Sequence, residues 1–142
     1  IVPDTRTTPD FVRELESGKY DHLKNKPVIT YCTGGIRCEV LSLLMKNRGF
    51  NQVYQMDGGV VRYGETFKDD GLWEGSLYVF DRRIMVDFSK DAKVLGVCQT
   101  CAGPSNQFYN CDVPTCRVRI IFCQDCVDAS EGILCPDCRA NT

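Results

Sequence analysis

The sequence predicts an α/β domain with a parallel sheet, followed by a small cysteine-rich module. The first 94 residues place short β-branched and aromatic runs before and after a helical segment, in the order strand, helix, strand. Eight of the ten cysteines lie between Cys98 and Cys138, in a segment too short to bury a sufficient core without metal or crosslinks. The predicted domains are therefore residues 1–94 and residues 95–142.

The first elements follow from local signals. Thr8 is the expected N-cap of a first helix, with Pro9 at its first helical position. The run Val28–Tyr31 reads as a buried parallel strand that ends at Cys32. A mostly apolar helix is expected over Glu39–Arg48, closed by Gly49.

The next segments complete a strand-helix-strand unit and add a hairpin. Residues 52–56 predict a second strand, residues 57–59 a tight turn and residues 60–67 a short helix. The two strands around the apolar helix then form a βαβ unit. Residues 77–80 and 84–86 predict two strands of a small hairpin that leads into the cysteine-rich segment.

A candidate reactive loop follows the first predicted strand. Cys32 stands at the carboxyl end of that strand, where open α/β sheets bind ligands. Loop amides and the following helix should stabilise a Cys32 thiolate, and Arg37 adds a cation for an anionic substrate. The active-site loop comprises residues 32–37, with Thr33, Gly34, Gly35 and Ile36 between the cysteine and the arginine.

Other interpretations of Cys32 and of its neighbour Cys38 stay open. Cys32 could be a small buried structural residue, or the nucleophile of a phosphatase. Cysteine phosphatases place five residues between the cysteine and the arginine, whereas only four separate Cys32 from Arg37 here. Cys38 is either a resolving thiol that forms a disulfide with an oxidised Cys32, or a packed helix residue.

The cysteine-rich segment predicts two structural zinc sites. Two thiolates from each tight Cys-x2-Cys turn suit tetrahedral zinc, and eight thiolates fill two sites without an open position for catalysis. Disulfides and an iron-sulfur cluster are the alternatives. Residues 117–122 predict a strand between the ligands. The ligands are Cys98, Cys101, Cys111, Cys116, Cys123, Cys126, Cys135 and Cys138.

The pairing of these ligands has two solutions. Sequential binding would join Cys98, Cys101, Cys111 and Cys116 at one ion. A cross-brace would instead join Cys98, Cys101, Cys123 and Cys126, and it is favoured because interleaved ligands staple a minimal core from both ends.

The loop Cys-Thr-Gly-Gly-Ile-Arg-Cys-Glu at residues 32–39 resembles that of rhodanese-like domains, and in particular that of the bacterial tRNA uridine hydroxylases. Three further stretches fit that family in the same order: Asp57-Gly58-Gly59-Val60, Val79-Phe80-Asp81-Arg82 and Asn110-Cys111. The resemblance implies a rhodanese-like fold with Cys32 as the active cysteine. It also implies a cytoplasmic enzyme that hydroxylates the wobble uridine of tRNA with molecular oxygen.

The sequence departs from the family pattern in the length of chain before the active cysteine. A complete rhodanese-like domain places about twice as many residues before its active cysteine as the 31 found here, so the domain is expected to be N-terminally incomplete.

Eight thiolates and two Zn²⁺ ions would add a net −4 to the formal charge of −2, which disfavours phosphate binding. Contacts to tRNA are therefore expected from absent N-terminal residues or from a local basic patch such as Arg82-Arg83 and Arg117/Arg119. Trp73 and Tyr78 could stack on a base, with packing between the domains favoured.

Two other functions compete with hydroxylation. A rhodanese loop also permits a sulfurtransferase that carries persulfide sulfur on Cys32. A non-catalytic rhodanese-like and zinc module that binds a partner protein is the third hypothesis. No apolar run has the length of about 18 residues that a membrane span requires, so no membrane partner is expected. The sequence leaves the oligomeric state open.

Overall fold

The chain divides into two compact units, Ile1–Arg62 and Tyr63–Thr142. This division comes from a computed structural model that describes residues 1–5, 7–116 and 118–141. Arg62 lies inside a helix, so the division does not fall at a linker. The expected boundary between residues 94 and 95 therefore stays a prediction.

The first helix, α1 (Thr8–Glu16), begins one residue earlier than expected. The side chain of Thr7 accepts a hydrogen bond from the Asp10 amide at 3.3 Å. The Asp10 carboxylate accepts one from the Thr7 amide at 2.9 Å. This reciprocal capping box requires a spacing of three residues, which fits Thr7 and Asp10. The assignment of Thr8 as the N-cap was therefore wrong by one residue.

The predicted βαβ unit is confirmed. The strands β1 (Pro27–Thr30) and β2 (Gln52–Gln55) pair in parallel, with Val28 opposite Val53. Between them runs α2 (Ile36–Asn47), which starts before the predicted residue because the glycine loop is short. A single-turn 3-10 helix, Asp21–Leu23, precedes β1. The core of this unit consists of Leu15, Tyr20, Met45, Phe50 and Val53.

The strand β1 is less buried than predicted. Its residues alternate between exposed and half-buried, and Ile29 is 65% exposed. Val28 packs against the core of this unit, whereas Ile29 points to the opposite, exposed face of the strand. The helix α2 likewise exposes Val40 and Leu43 on its outer side. The expectation of a buried strand was therefore wrong.

The helix α3 (Gly59–Phe67) follows β2 as predicted, and a single-turn 3-10 helix, Lys68–Asp70, comes after it. The predicted hairpin is confirmed: β3 (Leu77–Tyr78) pairs in antiparallel fashion with β4 (Met85–Val86). No helix among the described residues is long and apolar enough to cross a membrane.

A second hairpin lies among the cysteines. The strand β6 (Arg119–Ile121) matches the centre of the predicted strand and pairs with β5 (Phe108–Asn110), which was not predicted. Arg117 lies outside the described residues. Two short helices complete the chain, α4 (Gln124–Asp128) and α5 (Pro136–Ala140). Ile120 and Phe122 are the most buried side chains of this hairpin.

Candidate active site and metal centres

The loop of Cys32 lies between the end of β1 and the start of α2, as its sequence predicts. Gly35 is the N-cap of α2 and has the left-handed φ of 95°. A residue with a side chain would be strained at this position, and its Cβ would lie 3.3 Å from the side-chain amide nitrogen of Gln55. Glycine therefore lets the backbone turn from the strand directly into the helix.

The amino-terminal end of α3 holds this loop in place. The amide of Val60 donates a hydrogen bond to the Cys32 carbonyl at 2.9 Å, and the amide of Val61 donates one to the Thr33 carbonyl at 3.0 Å. From β2, the Gln55 side chain donates to the Gly35 carbonyl at 3.2 Å. These three bonds connect the Cys32 loop to residues twenty or more positions away in the chain.

The Cys32 sulfur receives several hydrogen bonds. The Gly35 amide donates to it at 3.1 Å. Burial raises the pKa of the Cys32 thiol, but hydrogen bonds from the Cys38 thiol and from the amides of Gly35, Cys38 and Arg37 outweigh it and lower the pKa. The amides belong to the first turn of α2, whose unpaired N–H groups favour a negative charge. Cys32 is half-buried, so a substrate can reach a thiolate that the loop stabilises.

Cys38 differs from Cys32 in exposure and in acidity. Its side chain is 2% exposed. Burial, followed by the hydrogen bond to Cys32, raises the pKa of Cys38 to about 11. At neutral pH Cys38 is therefore a thiol that donates its proton toward the Cys32 sulfur, and it is packed in the first turn of α2.

The remaining residues of the loop lie at its outer side. Arg37 is exposed, and its guanidinium donates a hydrogen bond to the Thr33 hydroxyl at 3.3 Å. Ile36 is 78% exposed. The cation predicted at the rim is thus fixed by the loop itself, with its charge next to the entrance of the site.

Sequence reasoning missed the part of Gly59 in this site. A Cβ added to Gly59 would lie 2.4 Å from the Cys32 carbonyl oxygen and 2.7 Å from that of Thr33, and the residue has a φ of +62°. The Asp57-Gly58-Gly59 turn was predicted, but its contact with the Cys32 loop is long-range. The paired glycines were the one signal, because close approach of two backbone segments requires a residue without a side chain.

Replacing Gly59 with alanine should displace the Cys32 loop and reduce the reactivity of Cys32. We expect alkylation of Cys32 by iodoacetamide at neutral pH to slow several-fold, because the amides no longer converge on the sulfur. Peptide mass spectrometry measures the rate for each cysteine. Gly34→Ala is the matched control, since no atom lies within 4 Å of its Cβ position. Equal rates in the two variants would contradict this account of the loop.

The eight cysteines of the second unit form two clusters. One contains Cys98, Cys101, Cys123 and Cys126, and the other contains Cys111, Cys116, Cys135 and Cys138. The four sulfur atoms of each cluster lie within 4.8 Å of one another. This grouping is the interleaved cross-brace, and the sequential pairing is wrong.

The sulfur spacing fits a tetrahedral metal site. The sulfur atoms of Cys101 and Cys123 are 3.6 Å apart, and those of Cys116 and Cys135 are 3.7 Å apart. Four sulfurs at about 2.3 Å from one ion lie about 3.8 Å from each other, whereas a disulfide requires about 2.05 Å. All ten cysteines are free. The disulfide alternative therefore does not describe these clusters.

Backbone amides favour thiolates within the clusters. The amide of Cys101 is the main cause that lowers the pKa of Cys98 to about 6, and the amide of Cys135 is the main cause that lowers the pKa of Cys111 to about 7. In contrast, the hydrogen bonds that the Cys126 and Cys138 thiols donate to neighbouring cysteine sulfurs raise the pKa of each to about 12. Four thiolates this close repel one another, so a fully ionised cluster requires a cation. Each cluster can therefore hold one metal ion.

Comparison with protein families gives two matches that together cover most of the chain. The family described as a rhodanese-like domain matches residues 3–66, which contain the Cys32 loop and its α3 support. The family described as the rhodanase C-terminal region matches residues 74–139, which contain all eight clustered cysteines.

Curated relatives resemble the chain along nearly its whole length. A protein of Arthrobacter sp. (strain FB24) is 63% identical over 137 residues, 96% of this chain and 46% of the relative. A protein of Corynebacterium urealyticum is 60% identical over 138 residues, 97% of this chain and 46% of the relative. Both relatives are named tRNA uridine(34) hydroxylase. The chain spans about half the length of the curated relatives it matches.

Proposed function

We propose that this chain, whose residues 3–66 match the rhodanese-like domain, provides the reactive cysteine of an oxygen-dependent tRNA hydroxylase that converts wobble uridine to 5-hydroxyuridine. The observation that carries this proposal is the half-buried Cys32 sulfur, which accepts a hydrogen bond from the Gly35 amide and whose pKa the amides of the α2 first turn lower. Relatives that carry the hydroxylase name support the choice of reaction. A tRNA substrate supports a cytoplasmic location, which is part of this proposal.

The proposed covalent step uses the nucleophilicity of this thiolate. The Cys32 sulfur forms a bond to C6 of the uracil ring, the C5–C6 π bond breaks, and its electron pair makes C5 electron-rich. Oxygen then adds at C5, and loss of the C5 proton and of the Cys32 thiolate restores the ring. The second oxygen atom leaves as water, which requires two protons and two electrons from a thiol reductant.

The loop residues have separate parts in this proposal. The amides of Gly35, Arg37 and Cys38 hold the thiolate before attack and after its release. The Arg37 guanidinium, fixed by Thr33, lies where it can contact a phosphate or the enolate oxygen that forms at O4. Thr33, Gly34 and Ile36 shape the entrance through their backbone.

Cys38 is proposed as the resolving thiol of Cys32. Its thiol already hydrogen-bonds the Cys32 sulfur, so no large movement is needed to join them. When hydrogen peroxide oxidises the Cys32 thiolate to a sulfenic acid, attack by the Cys38 sulfur forms the disulfide and releases water. A thiol reductant then restores both cysteines.

The two cysteine clusters are proposed to hold one Zn²⁺ ion each. The donor set is four thiolates, which zinc prefers in structural sites, and it leaves no position for water or substrate. Zinc bound there would stabilise the fold of the cysteine-rich module and take no part in the oxidation.

The experiment that tests the function is mass spectrometry of tRNA nucleosides. Cells that lack the full-length gene are complemented with the wild-type gene and grown under ¹⁸O₂. We expect 5-hydroxyuridine and its derivatives to return with the heavy oxygen at C5. Unchanged tRNA together with transfer of sulfur from thiosulfate to cyanide would contradict hydroxylation and identify a sulfurtransferase.

A further inference from the structure

An exposed aromatic and basic surface lies in the second unit, at the hairpin of β3 and β4. We call it the Phe80 surface and define it by Tyr78, Phe80, Arg82 and Arg119. Tyr78 and Phe80 meet edge to face with ring centroids 5.2 Å apart. The Arg119 guanidinium, from β6, lies 4.5 Å from the centroid of Tyr78 and 5.6 Å from that of Phe80. Residues from two hairpins therefore form one patch.

The rigidity of this patch comes from its packing. Tyr78 is half-buried and also meets Phe108 of β5 edge to face at 5.5 Å. The Arg119 side chain is held over two rings, so its charge is fixed in position at the edge of Phe80. A fixed cation beside a supported ring costs little entropy when it binds a ligand.

The exposure and charge of the patch distinguish it from an ordinary core contact. Phe80 is 66% exposed, although large aromatic rings favour burial. Arg82 and Arg119 are exposed, and neither has an ion-pair partner within the part of the chain that the structure describes. In contrast, Arg83 pairs with Asp81 and lowers the pKa of that carboxyl to about 2. The Asp81 carboxylate is thus paired with Arg83, while Arg119 lies over the exposed Phe80 ring and Arg82 follows Phe80 by two residues in the chain.

We propose that the Phe80 surface binds an unpaired segment of RNA, with a base stacked on the Phe80 ring and phosphates at Arg82 and Arg119. Single-stranded nucleic acid is recognised by this combination of aromatic faces and cations, because every base has a π-face and every nucleotide a negative phosphate. The inference rests on the proposed function, since it assigns a contact surface for the loop of the tRNA substrate. In this proposal Tyr78 supports Phe80 and Arg119 and does not itself stack on a base.

The experiment measures the affinity of the zinc-loaded chain for a labelled anticodon stem-loop RNA by fluorescence anisotropy. Phe80→Ala should raise the Kd about ten-fold, the loss typical of one stacked base. Phe80→Leu keeps an apolar side chain without a π-face and should give a similar loss. Arg119→Gln should weaken binding and lower the slope of log Kd against log salt by about 0.7, whereas Arg119→Lys should keep the slope. Zinc content and circular dichroism verify that each variant is folded.

Lys90→Gln is the control, because it removes one exposed positive charge from the same unit. Its Kd should stay within about two-fold of wild type. Wild-type affinity in both Phe80 variants would overturn the proposal, as would equal affinity for fully duplex RNA. A change in the oligomeric mass of Phe80→Ala without a change in RNA affinity would identify a protein contact instead and would also overturn it.

The proposed function and the Phe80 surface fail in different measurements. If the Phe80 variants bind the RNA with the wild-type Kd and form 5-hydroxyuridine at the wild-type rate, the proposed RNA-binding role of the Phe80 surface is wrong and the proposed reaction stands. Binding through Phe80 without formation of 5-hydroxyuridine would support the surface and contradict the reaction.

Discussion

Replacing Cys32 with serine should lower the formation of 5-hydroxyuridine by at least about a thousand-fold. A serine hydroxyl is far less acidic than a thiol, so the amides that converge on the Cys32 sulfur would face a neutral group. The measurement is the nucleoside analysis of tRNA from cells complemented with each variant. Full hydroxylation by Cys32→Ser would contradict covalent catalysis by this residue.

The matched control is Cys38→Ala, which removes the neighbouring thiol and keeps the nucleophile. We expect this variant to complete a first turnover, since Cys32 still receives hydrogen bonds from the Gly35, Cys38 and Arg37 amides. With hydrogen peroxide present, it should accumulate Cys32 sulfinic acid, whereas the wild type should form the Cys32–Cys38 disulfide. Absence of that disulfide in the oxidised wild type would leave Cys38 as a packed residue of α2 and contradict its resolving role.

The parts of the active site that could be predicted were those set by neighbours in the chain. The glycines after Cys32 specify a short loop, and the loop then necessarily places amides of the next helix near the sulfur. The support from Gly59, Val60 and Gln55 could not be predicted, because nothing local to those residues shows that they contact loop residues twenty or more positions away. The exposure of Ile29 was also missed, since an apolar run has the same pattern whether one or both of its faces are covered.

For the cysteine clusters, the sequence likewise predicts the ligands but does not establish which of them share one cluster. The spacing of the cysteines predicts which residues are ligands, because a two-residue gap brings two sulfurs together in one turn. Which cysteines share one cluster depends on the hairpin of β5 and β6. This hairpin lies between the Cys98–Cys101 and Cys123–Cys126 turns and brings these distant cysteines together. Only one strand of that hairpin, β6, was predicted. The other strand, β5, is three residues long and is separated from β6 by a stretch that contains two of the clustered cysteines. The cross-brace could therefore be favoured by sequence but needed the structure to be established.

Removal of the metal should unfold the cysteine-rich module. Its buried cluster consists of Ile120, Phe122, Cys111 and Cys135, so two of the four core side chains are themselves proposed zinc ligands. Structural zinc contributes about 10–16 kcal/mol of apparent binding free energy in small domains, which exceeds the stability that so small a core can provide. We expect a chelator to release two zinc ions per chain, measured with a colorimetric zinc indicator, and to abolish the amide hydrogen-exchange protection of β5 and β6.

Single substitutions separate the two clusters. Cys135→Ser should reduce the zinc content to one ion per chain and expose the Ile120 and Phe122 core, because the Cys135 side chain is 1% exposed and ligates in the same cluster as Cys111. Cys101→Ser, in the other cluster and exposed, should also lose one ion but perturb this core less. Cys38→Ser is the control, since its equally buried thiol belongs to neither cluster and two zinc ions should remain. Protection of β5 and β6 that survives complete removal of zinc would show that the module folds through its apolar contacts alone, and the metal would then have no structural role.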